Sequence, residues 1–146
     1  MVKKTHSDKN VVIVNAKTTR IGFLSTTYPG KVHDKKIAEK ENISYPQNSS
    51  VYKDTGFQGY DPPKVKTHQP KKKPRNGELT KSDKRSNKRI SKVRVGVEHA
   101  LSGAKRSRIV KDVLRNTKDG FSDLVMVIAC GLHNLRVRYR KKPLQL

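Results

Sequence analysis

A chain that carries 34 Lys and Arg against 12 Asp and Glu must fold around few apolar side chains. Its formal net charge is +22 over 146 residues. Hydrophobic residues make up 32%, Trp is absent, and Phe plus Tyr reach only 5%. The aromatic anchors that usually dominate core energetics are therefore scarce. At about the length of one domain, the chain is expected to hold a small core, or one completed from outside. The cation excess favours polyanions, because binding phosphates releases condensed counterions. An acidic membrane surface is the competing partner. The longest apolar run, Leu124 to Cys130, is far short of a span, and no apolar leader follows Met1-Val2-Lys3-Lys4. That short apolar run speaks for no membrane partner, and a single Cys130, which forms no internal disulfide, favours a reducing, intracellular setting.

Along the chain, Val11 to Val14 and Ile21 to Leu24 are β-branched or apolar runs around the polar turn Asn15-Ala16-Lys17-Thr18-Thr19, a hairpin pattern. Pro29-Gly30 then breaks the chain. His33 to Glu41 has helix-forming composition, with Ile37 and Ala38 on its buried side. Ser49 to Lys53 suits a strand ending at Asp54. Residues 61–79 read as a basic, proline-rich, solvated loop with one short strand at Val65 to His68. Thr80 with Asp83 resembles a capping box. Ile90, Val93, Val97, Leu101 and Ala104 follow at steps of 3, 4, 4 and 3, one stripe of a helix. A second helix after Gly120 is expected to bury Phe121, Leu124, Val125, Ile128, Leu132 and Leu135.

Two acids stand out. Glu98 lies at the edge of the first helical stripe, where an i,i+4 ion pair with Arg94 is the plainer reading. Asp54 opens Asp-Thr-Gly, a good turn sequence in its own right. The same triplet serves aspartic proteases, but these need two carboxylates sharing a proton. Here Lys53 precedes the acid and no second triplet exists. Taken together, Asp54 and Glu98 can converge on divalent metal, because hard oxygen ligands suit Mg²⁺. Two such ions about 4 Å apart drive phosphodiester displacement in many enzymes. The His and Cys positions form no zinc pattern, since Cys130 and His133 lack a second pair.

The blocks TTYPGKVHDKKIA, VYKDTGFQGY, QPKKKPRNGELT, RISKVRVGVEHALSGAKRSRIV and FSDLVMVIACGLHNLRVRYR resemble, in order, the C-terminal part of bacterial insertion-sequence transposases. The likeness is to the Asp-Asp-Glu (DDE) superfamily with a Harbinger-like domain, and it runs from about Lys3 to Lys141. The resemblance implies an α/β fold of ribonuclease-H-like type. A central strand carries a first Asp. Two antiparallel strands, a helix and a strand with the second Asp follow, and a later helix supplies Glu. By that mapping Asp54 is the second acid and Glu98 the third, both catalytic and both metal ligands. Asp34 is the rival second acid. It otherwise caps the helix that begins there, with His33 in support.

The resemblance also implies Mg²⁺ in a two-metal site and DNA, both element ends and target, as partner. The family's first Asp lies upstream of this sequence. Asp8 is the only acid before the first strand, and it stands in a polar context. The chain is therefore expected to be one truncated catalytic domain, residues 1–146, lacking the first central strand and inactive alone. The upstream half of the transposase would restore activity, and oligomerisation stays open. A bacterial cytoplasmic, nucleoid-associated location follows. Lys71, Lys72, Lys73, Arg75, Arg94, Lys105, Arg106, Arg108, Lys111 and Arg115 are the candidate DNA contacts, against a solvated basic face as the plainer reading. The alternative function is a small basic nucleic-acid-binding or transposition-regulating protein without catalysis.

Overall fold

The computed structural model of the chain describes residues 8–112, 116 and 118–140. It is mixed α/β. In chain order come β1 (Asp8–Lys9), β2 (Val12–Val14), β3 (Ile21–Leu24), β4 (Tyr28–Pro29), α1 (Asp34–Lys40), β5 (Ser50–Tyr52), a 3-10 turn (Thr55–Phe57) and β6 (Lys66–His68). The helices α2 (Lys81–Ala104), α3 (Arg108–Lys111) and α4 (Phe121–Tyr139) complete it. Among the described residues the strands form three two-stranded sheets. The β1–β4 and β2–β3 pairs are antiparallel and β5–β6 is parallel. Contacts group the chain into two compact units. One holds the residues up to Val11 with Ser25–Val95, and the other holds Val12–Leu24 with the residues from Gly96 on. Among the described residues no helix is long and apolar enough to cross a membrane.

In the second unit the expected hairpin forms. The Asn15 side chain closes its turn by accepting the N–H groups of Lys17 and Thr18, each at 3.0 Å. Asx side chains favour turns for this reason. The ladder shifts register between Ile13 and Val14. Ile21, Ala100, Ala104 and Cys130 make the core, with Val12, Val14, Leu24 and Met126 packed around it. Burial pushes the Cys130 thiol pKa up. Asn134 fastens α4 to β3 in both directions: its amide donates to the Ile21 carbonyl and its oxygen accepts the Ile21 N–H, each at 2.8 Å. His133 Nε2 lies 2.9 Å from the Thr19 carbonyl. A carbonyl only accepts, so Nε2 carries the proton.

The buried face of α4 differs from the expected one. Val125, Ala129, Cys130 and His133 are buried, whereas Leu124, Ile128, Leu132 and Leu135 are 42–55% exposed. The run from Leu124 to Cys130 is apolar on every side, so a 3.6-residue period fits more than one face. The choice is made by His133 and Asn134, whose polar groups need the Thr19 and Ile21 backbone, and by the small side chains Ala129 and Cys130. Gly103 meets this face so closely that a methyl group there would lie 2.7 Å from His133 Cε1.

In the first unit Ile37 and Ala38 are each 1% exposed, and Val11 and Ile90 are also buried. Ser25 Oγ accepts the Val11 N–H at 2.8 Å and donates to the Thr26 carbonyl at 2.7 Å. Thr80 caps α2 as expected: its Oγ1 accepts the Asp83 N–H at 3.1 Å and donates to Asp83 Oδ2 at 2.8 Å. Asp34 is the first helical residue of α1, not its cap. His33 holds the cap position without a side-chain bond. A carboxylate in the first turn still favours the positive end of the helix dipole.

Urea unfolding separates the two faces of α4. Val125→Ala is expected to cost about 2 kcal/mol, while Ile128→Ala and Leu132→Ala stay within about 0.5 kcal/mol. Gly103→Ala is expected to cost about 1–3 kcal/mol through overpacking against His133. Equal costs on both faces would contradict the packing described.

Candidate active-site region

The parallel pair β5–β6 delivers Asp54. Ser50, Val51 and Tyr52 stand opposite Lys66, Thr67 and His68. The ladder closes with the Lys66 N–H to the Ser49 carbonyl at 3.1 Å and the Lys53 N–H to the His68 carbonyl at 2.9 Å. Asp54 comes immediately after this last bond, in extended conformation, and caps the 3-10 turn. Its carbonyl accepts the Phe57 N–H at 3.0 Å and the Gln69 side-chain amide at 2.8 Å. Strand, turn and glutamine thus hold the Asp54 backbone in one place.

Its carboxylate is about half exposed and has two partners. Oδ1 accepts the Thr55 N–H at 2.6 Å, and Oδ2 lies 3.1 Å from the Arg94 guanidinium on α2. The helical spacing lets Arg94 face Glu98 one turn on, but the guanidinium goes to Asp54 instead. Asp34 borders the same turn. A methyl group on Gly56 would meet Asp34 Oδ2 at 2.7 Å, so a larger residue there would displace that carboxylate. Lys9 pairs with Asp34 Oδ1 at 3.2 Å and donates to the Val32 carbonyl at 3.3 Å.

Beneath Asp54 lies a buried cation. Lys53 is 7% exposed, and its ammonium donates to the Tyr60 carbonyl and to Asp61 Oδ1 at 2.8 Å. An ammonium removed from water needs such partners. Asp61 Oδ1 also accepts the Thr67 hydroxyl at 2.8 Å. The hydrogen bond from Lys53, then that from Thr67, holds the Asp61 carboxyl below its ordinary range. The Tyr45 and Tyr60 hydroxyls meet at 3.2 Å. Burial, then this bond, pushes the Tyr45 phenol pKa up.

The other residues singled out from the sequence fall as follows. Glu98 is exposed on the part of α2 that belongs to the second unit, and Asp54 belongs to the first. His33 is exposed. Lys71 is clamped to α2: Nζ lies 2.6 Å from Asp83 Oδ1, and its backbone N–H and carbonyl both bond Asn87 at 3.0 Å. The bond from Lys71, then that from Thr80, lowers the Asp83 carboxyl pKa. Lys72, Lys73, Arg75, Lys105, Arg106 and Lys111 are exposed, and Arg108 pairs with Asp112 at 3.6 Å. Arg115 lies outside the described residues. Among the described residues no three His, Cys, Asp or Glu side chains gather closely enough to hold a metal. Lys53, Gln69, Lys9 and Asn87 were not singled out from the sequence. For Lys53 a signal existed, since strand alternation turns it opposite to Asp54.

The family model for DDE superfamily endonuclease matches residues 1–134. The chain is similar to the probable transposase for insertion sequence element IS702 of Microchaete diplosiphon, 27% identical over 129 residues, 88% of this chain and 46% of that protein. It thus spans about half the length of the curated relative it matches. No solved structure matches.

A carboxyl with a depressed folded pKa adds stability above its unfolded value and loses it as pH falls through the folded one. Asp61 therefore stabilises the fold at neutral pH, and that contribution fades below about pH 4, the ordinary carboxylate range. Asp61→Asn is expected to lower the urea midpoint at pH 7 and to sit much closer to the parent chain at pH 3. A midpoint difference that does not change with pH would remove Lys53–Asp61 as the cause.

Proposed function

The chain belongs to the DDE superfamily endonucleases, and from that premise we propose that it is catalytic-domain sequence of an insertion-sequence transposase, cutting and joining DNA phosphodiesters. The observation that carries this reading is Asp54. It is an exposed carboxylate on a rigid strand end, in a chain that is otherwise overwhelmingly cationic. We read Asp54 as the second family acid and Glu98 as the third, with Asp34, which borders the 3-10 turn, and His33 before it in support. The order of antiparallel hairpin, helix and acid-bearing strand supports a ribonuclease-H-like arrangement.

The donor chemistry suits a hard divalent cation such as Mg²⁺, since carboxylate oxygens are its preferred ligands. Asp54 and Glu98 would hold it, with further donors needed to complete the shell. When bound, the metal supplies activation of the attacking oxygen and stabilisation of the leaving one. The chain's own groups do the rest. The Thr55 N–H orients the Asp54 carboxylate, and Arg94 balances its charge. Lys72, Lys73, Arg75, Lys105, Arg106 and Lys111 offer exposed cations to the DNA backbone, which position the strand without reading its sequence.

The test is Mg²⁺-dependent nicking of element-end DNA by the chain, alone and mixed with the rest of a transposase of this family. Asp54→Asn and Glu98→Gln are expected to reduce nicking at least about 10²-fold, the scale of a lost transition-state partner. DNA affinity should hold or rise slightly as negative charge is removed. Absence of nicking in both settings, with binding intact, favours instead a basic DNA-binding protein that regulates transposition.

A further inference from the structure

Tyr52 and His68 stand opposite each other across the β5–β6 ladder. Their rings stack with centroids 4.7 Å apart and planes 16° from parallel. From Ser50 through β5 to the extended Asp54, Val51 and Lys53 turn inward while Ser50, Tyr52 and Asp54 turn outward, as strand alternation requires. Tyr52 and Asp54 therefore share the exposed side, about 6.6 Å apart along the strand. In a chain with no Trp and three Phe, leaving 37% of Tyr52 in solvent withholds aromatic surface from the core. Lys66 precedes this pair on β6 and is exposed. Gln69 follows His68 directly and holds the Asp54 carbonyl. The stack is thus fixed to the backbone that positions the carboxylate.

We propose that Tyr52, backed by His68, is a stacking platform for an unpaired DNA base next to the phosphate at Asp54. This rests on the DNA-processing reading above. Aromatic side chains bind single strands by stacking on bases, whose flat faces are the same for every sequence. A base inside a duplex already has both faces covered. The platform therefore acts on a strand that is open or being opened, such as an element end during cleavage. Phosphate contacts hold the backbone and the ring holds one base, so the two contributions separate by their salt dependence.

The experiment uses the full chain and three fluorescently labelled probes: an oligothymidine, the same length of abasic strand, and a duplex. Binding is titrated at several salt concentrations. Tyr52→Ala is expected to weaken oligothymidine binding about 5- to 150-fold, the range for one lost stacking contact. The slope of log affinity against log salt should not change, and abasic and duplex binding should not move. Tyr52→Phe should stay within about twofold of the parent. If Tyr52→Ala unfolds the chain, Tyr52→Leu keeps the apolar bulk and the same selective loss is expected. An unchanged affinity for the oligothymidine, or an equal loss on the abasic strand, overturns the platform. The probes carry no element end and the titrations contain no divalent metal, so the result stands apart from the nicking assay. Loss of nicking by Asp54→Asn with no selective effect at Tyr52 would sink the platform and leave the transposase reading in place.

Discussion

A buried ammonium group fixes the geometry of the candidate site. The Lys53 N–H makes the last ladder bond before Asp54, and its ammonium charge is met by Asp61 and the Tyr60 carbonyl. A lysine out of water without such partners costs several kcal/mol, so the segment from Tyr60 to Thr67 is drawn back onto the strand. The same segment supplies β6, which completes the parallel pair. The loop return that satisfies this charge also brings β6 beside β5, next to Asp54.

Three of the few acids tie separate segments of the chain together. Asp34 ties α1 to Lys9 of β1, Asp83 ties α2 to Lys71, and Asp54 ties the 3-10 turn it caps to Arg94 of α2. Exposed pairs of this kind are worth little individually. Their value here is positional, since each joins segments far apart in the chain. Asp54 differs from the others in its surroundings. Its backbone is held from several sides while its carboxylate remains half exposed. That combination suits a group that must keep its place and still reach a ligand.

Much of the local structure was legible from residue type. The hairpin, α1 with Ile37 and Ala38 inside, the strand before Asp54 and the Thr80 cap all follow from short-range chemistry. Turn residues, caps and strand alternation act within a few positions, so a linear reading captures them. The strand at Lys66–His68 was visible, but its partner was not, because a parallel pairing joins segments whose separation carries no local mark. The antiparallel strands at Asp8–Lys9 and Tyr28–Pro29 went unseen because two residues are too few to show an alternation.

The sequence by itself determined the chemical character of this protein: a cationic chain with few carboxylates, an acid at a strand end, and blocks in the order of the DDE family. Composition and residue order carry those facts without reference to shape. Only the tertiary structure decided which face of α4 is buried, which acid Arg94 serves and where Lys53 finds its counter-charge. The run from Leu124 to Cys130, apolar on every side, has no preferred face until His133 and Asn134 meet backbone groups far away in the chain. A lysine among many lysines looks like any other until packing removes the water around it.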